Sequence, residues 1–302
     1  MITGMKDRTN YPLVSIGLPA YNGEKTIRLS IESLLAQDYP NFELIICDDA
    51  STDQTPEICK DYAGQDQRIR FYRNEKNLGM YANWMRLMDL SGGKYFMWSA
   101  NDDLRKPAFV SSMVEELERY PQAGVAMSAT ELVLEDQTHF GEVRYHGIAD
   151  PNNLSHFKLM IRSAGLGRGR KKYAVYIYGL YRRELLLSAM QYFEDTLFSD
   201  RLFVTLMTLI TRFRYVDETL YVKMRHPKYK IRYPHEKADK MSSSYLKRFS
   251  IVGIMMKMIW SCDLVPFHRK LYSPFAAVGL ASFLTRGIVR EIRYKKQFTE
   301  NY

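Results

Sequence analysis

The chain has 302 residues, 46% hydrophobic and 25% charged, which suits one large domain or a catalytic domain with an appended lobe and excludes a disordered tail protein. No stretch approaches eighteen uncharged apolar residues, against a multi-span membrane protein, and MITGMKDRTNYP carries no apolar signal segment. The net charge of +9 is unevenly placed: residues 223–302 hold 17 Lys and Arg against 5 Asp and Glu, whereas residues 1–222 hold 26 against 29.

From the N-terminus, Val14–Leu18 is an apolar run ending at Pro19. A turn at Asn22-Gly23 follows, then a helix with Ile27, Ile31, Leu34 and Leu35 at i, i+4, i+7 and i+8. Phe42–Cys47 predicts a second strand, and Thr55 as N-cap with Pro56 at the first helical position predicts the helix beyond Asp48-Asp49. Ile69–Tyr72 reads as a third strand, and Asn77-Leu78-Gly79 leads into a helix with Met80, Trp84, Leu87 and Met88 on one face. Tyr95–Trp98 is a fourth strand ending at Asn101-Asp102-Asp103, with Val110, Met113, Val114 and Leu117 marking the helix after Pro107. Strands alternating with helices across short turns predict an α/β fold.

Further on, Val125–Leu134 predicts a strand, and residues 136–172 a loop, a helix near Leu154–Ile161 and a basic glycine-rich stretch at 165–172. A strand at Ala174–Tyr178, helices near Arg183–Met190 and Ser199–Ile210, and a strand pair at Phe213–Val216 and Thr219–Met224 follow. From Met241 onward the pattern is helical. Phe249–Trp260 and Phe275–Val289 are apolar but interrupted by Lys257 and Arg286, so neither reads as a membrane span. Cys47, Cys59 and Cys262 are odd in number and lack CxxC spacing, which fits neither a disulfide scaffold nor structural zinc and points to a reducing cytosol.

Two acidic pairs lie just past predicted strand ends, Asp48-Asp49 after the second and Asp102-Asp103 after the fourth. In an open α/β sheet that edge binds ligands. An Asp there also caps turns, but two pairs at equivalent positions favour a shared crevice. Their hard oxygens suit Mg²⁺ or Mn²⁺ bridging to substrate phosphates. No GxGxxG follows the first strand and no GxxxxGK[ST] occurs, so dinucleotide and P-loop readings lack their phosphate cradle.

PLVSIGLPAYNGEKTIRLSIESLLAQDYPNFELIICDDASTDQT, then NEKNLGM, then a strand ending in SANDD, resembles the nucleotide-sugar half of inverting GT-A glycosyltransferases of family 2. The likeness covers roughly residues 12–135 and rests on four elements in order: PxYN, DDxSxD, NLG and an acidic triplet. It implies a GT-A, Rossmann-like α/β domain with a mixed, mostly parallel sheet. It places Pro19 and Tyr21 at the base. Asp49, or less readily Asp48, would accept from a uracil-type imide N–H. Asn77 and Asn101 fall on the nucleotide-sugar side, Asp102 at ribose or a metal water, and Asp103 at the metal. Asn101 replaces the first carboxylate of the family's Asp-x-Asp form.

In the second half the resemblance implies a general base at the start of a helix, which is Asp200 in Phe198-Ser199-Asp200-Arg201, with Glu194-Asp195 as the rival pair. It also implies a late metal or phosphate ligand, His226. The expected organisation is a catalytic domain over 1–240 (nucleotide-sugar half 12–135, acceptor half 136–240) and a basic amphipathic helical extension over 241–302. The expected activity is metal-dependent, inverting transfer from a nucleoside diphosphate sugar to a glycan or lipid-linked acceptor. The basic helices suit an anionic membrane surface at the inner face or a homodimer contact. The 165–172 stretch is a candidate phosphate loop. The alternatives are a silent nucleotide-sugar binding or scaffold module, a nucleotidyltransferase lacking the signature loop, and a nucleic-acid binder, for which no reading motif exists.

Overall fold

Strands β1 (Val14–Ala20), β2 (Phe42–Asp48) and β4 (Tyr95–Trp98) are built from apolar runs whose side chains are mostly buried, as strands covered on both faces require, whereas the edge strand β3 (Ile69–Arg73) buries only Ile69. In the computed structural model, which describes residues 11–134, 138–143, 155–158, 160, 177–193, 199–225, 245–282 and 284–285, these four pair in parallel. Helices α1 (Ile27–Leu35), α2 (Thr55–Gln65) and α3 (Met80–Leu90) connect them. Helix α4 (Phe109–Arg119) buries Phe109, Val110, Met113, Val114 and Leu117 along one stripe. It stops at Tyr120, which precedes Pro121 and leaves the helical region at φ −125°, ψ 80°.

The remaining strands are β5 (Leu104–Arg105), β6 (Ala123–Leu134), β7 (His139–Val143), β8 (Leu180–Arg182) and β9 (Arg212–Arg225). Among the described residues, nine strands make one mixed sheet in the order β3-β2-β1-β4-β8-β6-β9-β5, with β7 on β6. The alternating half is therefore as the sequence reads, and the sheet is extended by antiparallel and long-range pairings. The expected strand pair at 213–224 is a single strand, parallel to β6. Its register jumps from Val216 to Thr219, so Asp217-Glu218 bulge out of the ladder without ending it. Ile177 and Tyr178, expected in a strand, form a 3₁₀ turn.

Two helix details also differ from expectation. Gln54, not Thr55, caps α2; the Thr55 hydroxyl is drawn away to Asp53 Oδ1 at 2.5 Å. On α3, Met80 is exposed while Asn83 is buried beside Leu87 and Met88, because the Asn83 amide donates to the Cys47 carbonyl at 2.9 Å.

The chain divides into two compact units. The first comprises Met1–Asn152, Tyr178–Leu187 and Arg212–Pro227 and holds the whole sheet; the second comprises Asn153–Ile177, Ser188–Thr211 and Lys228–Tyr302. Helix α5 (Arg183–Met190) follows β8. The second unit contains α6 (Ser199–Ile210), α7 (Tyr245–Ser261), α8 (Phe267–Lys270) and a helical segment at 273–282. Leu202, Leu206 and Leu209 pack with Ile251, Met255, Ile259, Ala276 and Leu280. The Arg269 guanidinium donates to the Leu209 carbonyl at 2.8 Å, setting a cation at the negative C-terminal end of α6.

Candidate functional site

Parallel register aligns the ends of the first three strands: Ala20 lies opposite Asp48, and Asp48 opposite Arg73. Four loops leave this edge and are tied to one another. The Tyr21-Asn22-Gly23 turn, with Asn22 at φ 47°, donates its Asn22 N–H to Ser51 Oγ at 2.9 Å and its Gly23 N–H to Thr55 Oγ1 at 2.8 Å. Asn22 Oδ1 in turn accepts from the Thr52 N–H at 2.9 Å. A Cβ on Gly23 would sit 2.5 Å from the Asn101 amide nitrogen, so that side chain would have to move, and the loops after β1 and β4 touch there. Tyr21 stands 49% exposed, and Pro19 is half-buried beneath it in sequence.

Asp49 links the second and third loops. Its buried carboxylate accepts from Asn74 Nδ2 at 2.7 Å and the Leu78 N–H at 2.8 Å through Oδ1, and from the Gly79 N–H at 2.9 Å through Oδ2. Asn77 closes the same loop, its Oδ1 accepting from the Gly79 N–H at 2.9 Å. A carboxylate has about four acceptor directions, so Oδ2 keeps capacity for one further donor. Asn74 also reaches Asn83 Oδ1 at 3.2 Å and accepts from Arg86. Asp48 faces the other way. It pairs with the Arg73 guanidinium at 3.2 Å and accepts from the Ser51 hydroxyl, and burial raises its carboxyl above the usual range despite those partners. Burial pushes the Cys47 and Cys59 thiols up to about 12, which rules them out as thiolate nucleophiles near neutral pH.

The triplet after β4 divides. Asn101 packs on Gly23, Asp102 is half-buried, and Asp103 is wholly buried. Both oxygens of Asp103 are engaged: Oδ2 accepts from the Tyr221 hydroxyl and from Lys223 Nζ at 3.1 Å, and Oδ1 accepts from the Met224 N–H at 3.0 Å. Burial, reinforced by the Asp103 charge, holds the Tyr221 phenol well above its ordinary range. As a ligand of Mg²⁺ or Mn²⁺, Asp103 fits poorly: Oδ2 already carries the ammonium and the phenol, and an ion on the remaining direction of Oδ1 would sit beside the bonded Lys223 ammonium. Among the described residues no group of three or more His, Cys, Asp or Glu side chains converges as a metal cage.

Asp200 is the second residue of α6, in the second unit, and its Oδ1 accepts from the Arg201 N–H at 2.8 Å. An acidic group in the first turn is favoured by the helix dipole. His226, Glu194-Asp195 and the 165–172 stretch lie outside the described residues. Residues the motif reading misses are Asn74, Asn83, Arg105, Tyr221 and Lys223. A signal existed for the last two: they alternate with Val222 along a strand, which puts both on one face.

Residues 15–164 match the family described as glycosyl transferase family 2. That segment is a glycosyltransferase family 2 domain. The family 2 segment is 40% identical over 110 residues to EpsE of Bacillus subtilis (strain 168), which carries a glycosyltransferase name. It is 34% identical over 128 residues to an uncharacterized glycosyltransferase of Haemophilus influenzae. These matches cover 36% and 42% of this chain and 40% of each relative, so the chain spans well under half the length of either. Among solved structures, S. aureus TarS residues 1–349 superpose with a TM-score of 0.63 at 19% identity, over 87% of this chain and 70% of that one. The complex of the same TarS segment with UDP-GlcNAc gives 0.60 at 22%, over 90% and 72%. At that identity the likeness establishes the fold alone, the GT-A architecture.

Proposed function

We propose that the chain transfers a sugar from a nucleoside diphosphate sugar, UDP-linked, to a hydroxyl of a glycan or lipid-linked acceptor, inverting the anomeric centre. The observation that carries this reading is the mutual anchoring, at one sheet edge, of the loops holding Tyr21, Asp49, Asn77 and Asn101. Tyr21 offers an exposed ring face to a base, and Asp49 Oδ2 has the acceptor capacity a uracil imide requires. The TarS segment was solved with UDP-GlcNAc, which supports a uridine nucleotide. Asp102 serves the ribose. The reaction breaks the anomeric C–O bond as the acceptor oxygen attacks from the opposite face. The acceptor proton passes to Asp200, and the departing diphosphate must meet positive charge.

The test is a panel of nucleotide sugars scored by thermal stabilisation and by hydrolysis, with the anomeric configuration of the product read by proton NMR. Stabilisation and hydrolysis by UDP-sugars with inverted product are expected. Retention of configuration refutes the single displacement; binding with no turnover on any acceptor favours the silent module.

A second observation bears on where the chain works. Phe267, Leu271, Phe275 and Val278, spaced by four, four and three residues, are each more than half exposed, beside His268, Arg269 and Lys270. No helix among the described residues is long and apolar enough to cross a membrane. We propose that this face rests on an anionic bilayer, drawn by the basic C-terminal quarter, with each cation near the surface contributing about 1 kcal/mol. The 302-residue chain should float with phosphatidylglycerol vesicles at low salt and less at high salt, and F267S/F275S should not float. Equal flotation of both proteins, or wild-type dimerisation that F267S/F275S abolishes without any flotation, refutes the membrane reading.

A further inference from the structure

Asp103 is wholly buried, whereas Lys223, bonded to it, keeps 31% of its side chain exposed. A solute reaching this end of the sheet therefore meets the Lys223 side chain and not the carboxylate, the ammonium itself being held on Asp103 and 4.9 Å from the centroid of the Tyr178 ring. Arg105, two residues after Asp103, is buried with its guanidinium 3.9 Å from the centroid of the Tyr221 ring. Its Nε has no protein partner among the described residues. A divalent ion taking Asp103 Oδ2 would have to break the ammonium pair and displace the Tyr221 hydroxyl, and one on Oδ1 would bring two positive charges beside the Lys223 ammonium. Separating a buried pair so that one charge is left uncompensated is strongly unfavourable.

We propose that Lys223 fills the place of the divalent cation at the Asn101-Asp102-Asp103 triplet: held by Asp103, its ammonium receives the donor diphosphate, and nucleotide binding needs no metal at Asp103. This rests on the nucleotide-sugar reading above. Tyr221 is then a positioning residue that fixes the carboxylate, and the Lys223 ammonium meets charge on the diphosphate.

The first measurement needs no nucleotide. Adding wild-type protein to Mn²⁺ should leave the free-ion EPR signal unchanged, and K223M, which removes the ammonium from Asp103 Oδ2, should bind one Mn²⁺. The second is calorimetric titration with UDP, GDP and dTDP. For whichever binds, the wild-type Kd should differ by less than about threefold between EDTA and Mn²⁺, while K223M in EDTA should weaken binding by about tenfold or more. K223R, which keeps the charge, should retain most of the metal-free affinity, and unchanged melting temperatures establish that the variants fold. One-to-one Mn²⁺ binding by wild type that D103N abolishes overturns the proposal. So does nucleotide affinity that collapses in EDTA, or K223M affinity equal to wild type. If none of the three diphosphates binds under either condition, the donor reading itself fails and takes the proposed role of Lys223 with it.

Discussion

Replacing Asp49 with alanine removes the group that fastens the 74–79 loop to the end of β2. Its cost can be built bond by bond. Three donors reach the carboxylate, but two have second acceptors: Asn74 Nδ2 also reaches Asn83 Oδ1 at 3.2 Å, and the Gly79 N–H also reaches Asn77 Oδ1 at 2.9 Å. Only the Leu78 N–H has Asp49 as its one acceptor among the described residues and loses it outright. One charge-assisted bond lost outright is about 1.5–3 kcal/mol, and two partly replaced bonds add about 0.5 kcal/mol each, for a total near 3 kcal/mol. In a chain of this size that lowers the melting temperature by roughly 6–12 °C. Hydrogen exchange should locate the effect, with the Leu78 amide losing about 10–100-fold of its protection while amides in α4 change no more than the global stability dictates. D49N behaves differently. Its remaining carbonyl oxygen can keep Asn74 and Leu78 while its amide turns to Gly79, which still has Asn77, so stability falls by about 1 kcal/mol. Nucleotide binding should nevertheless be lost, because an NH₂ group then faces the base imide donor. Leu78 exchange in D49A indistinguishable from wild type would show that the carboxylate does not hold this loop.

The other expectations concern separate parts of the chain. D200N should keep nucleotide-sugar binding, measured by calorimetry, and lose most turnover; full activity would remove Asp200 as the base. At Gly93, a Cβ would lie 2.6 Å from the Leu13 carbonyl and 2.8 Å from the Ser15 nitrogen, both backbone atoms, so G93A should cost about 1–3 kcal/mol in urea unfolding. A neutral result would show that β1 can shift. Burial alone would raise the Glu43 carboxyl, but bonds from the Ser15 hydroxyl, the Gly92 N–H and Arg70 outweigh it and hold it below the ordinary value. A lowered folded value stabilises above the unfolded value of about 4.3 and is lost as pH falls through the folded one. E43Q should therefore flatten the acid limb of stability against pH; an unchanged slope would refute the assignment.

How far the sequence carries depends on the range of the interaction. The first four strands and their helices were legible because each signal is local: apolar runs for strands, 3.6-residue periodicity for α1 and α4, and turn residues between them. Strands β5, β7 and β8 were missed because they are short or polar and exist only through partners elsewhere; β8, three residues long, pairs with β4 and β6. The join of the expected strand pair into β9 has the same origin, since β6 supplies the continuous ladder across the Asp217-Glu218 bulge. The site follows this rule. Motif order placed Tyr21, Asp49, Asn77 and the triplet, but a motif records which residue stands where and not what lies against it. Asp49 has its partners within 30 positions, in the loops that the motifs themselves mark. The Asp103 partners lie 118 to 121 positions away on β9, beyond any local pattern. A buried carboxylate that would be a ligand with open oxygens becomes, with an ammonium and a phenol already on it, the fixed counter-charge of a lysine. Its function is thus set as much by β9 as by the triplet that contains it.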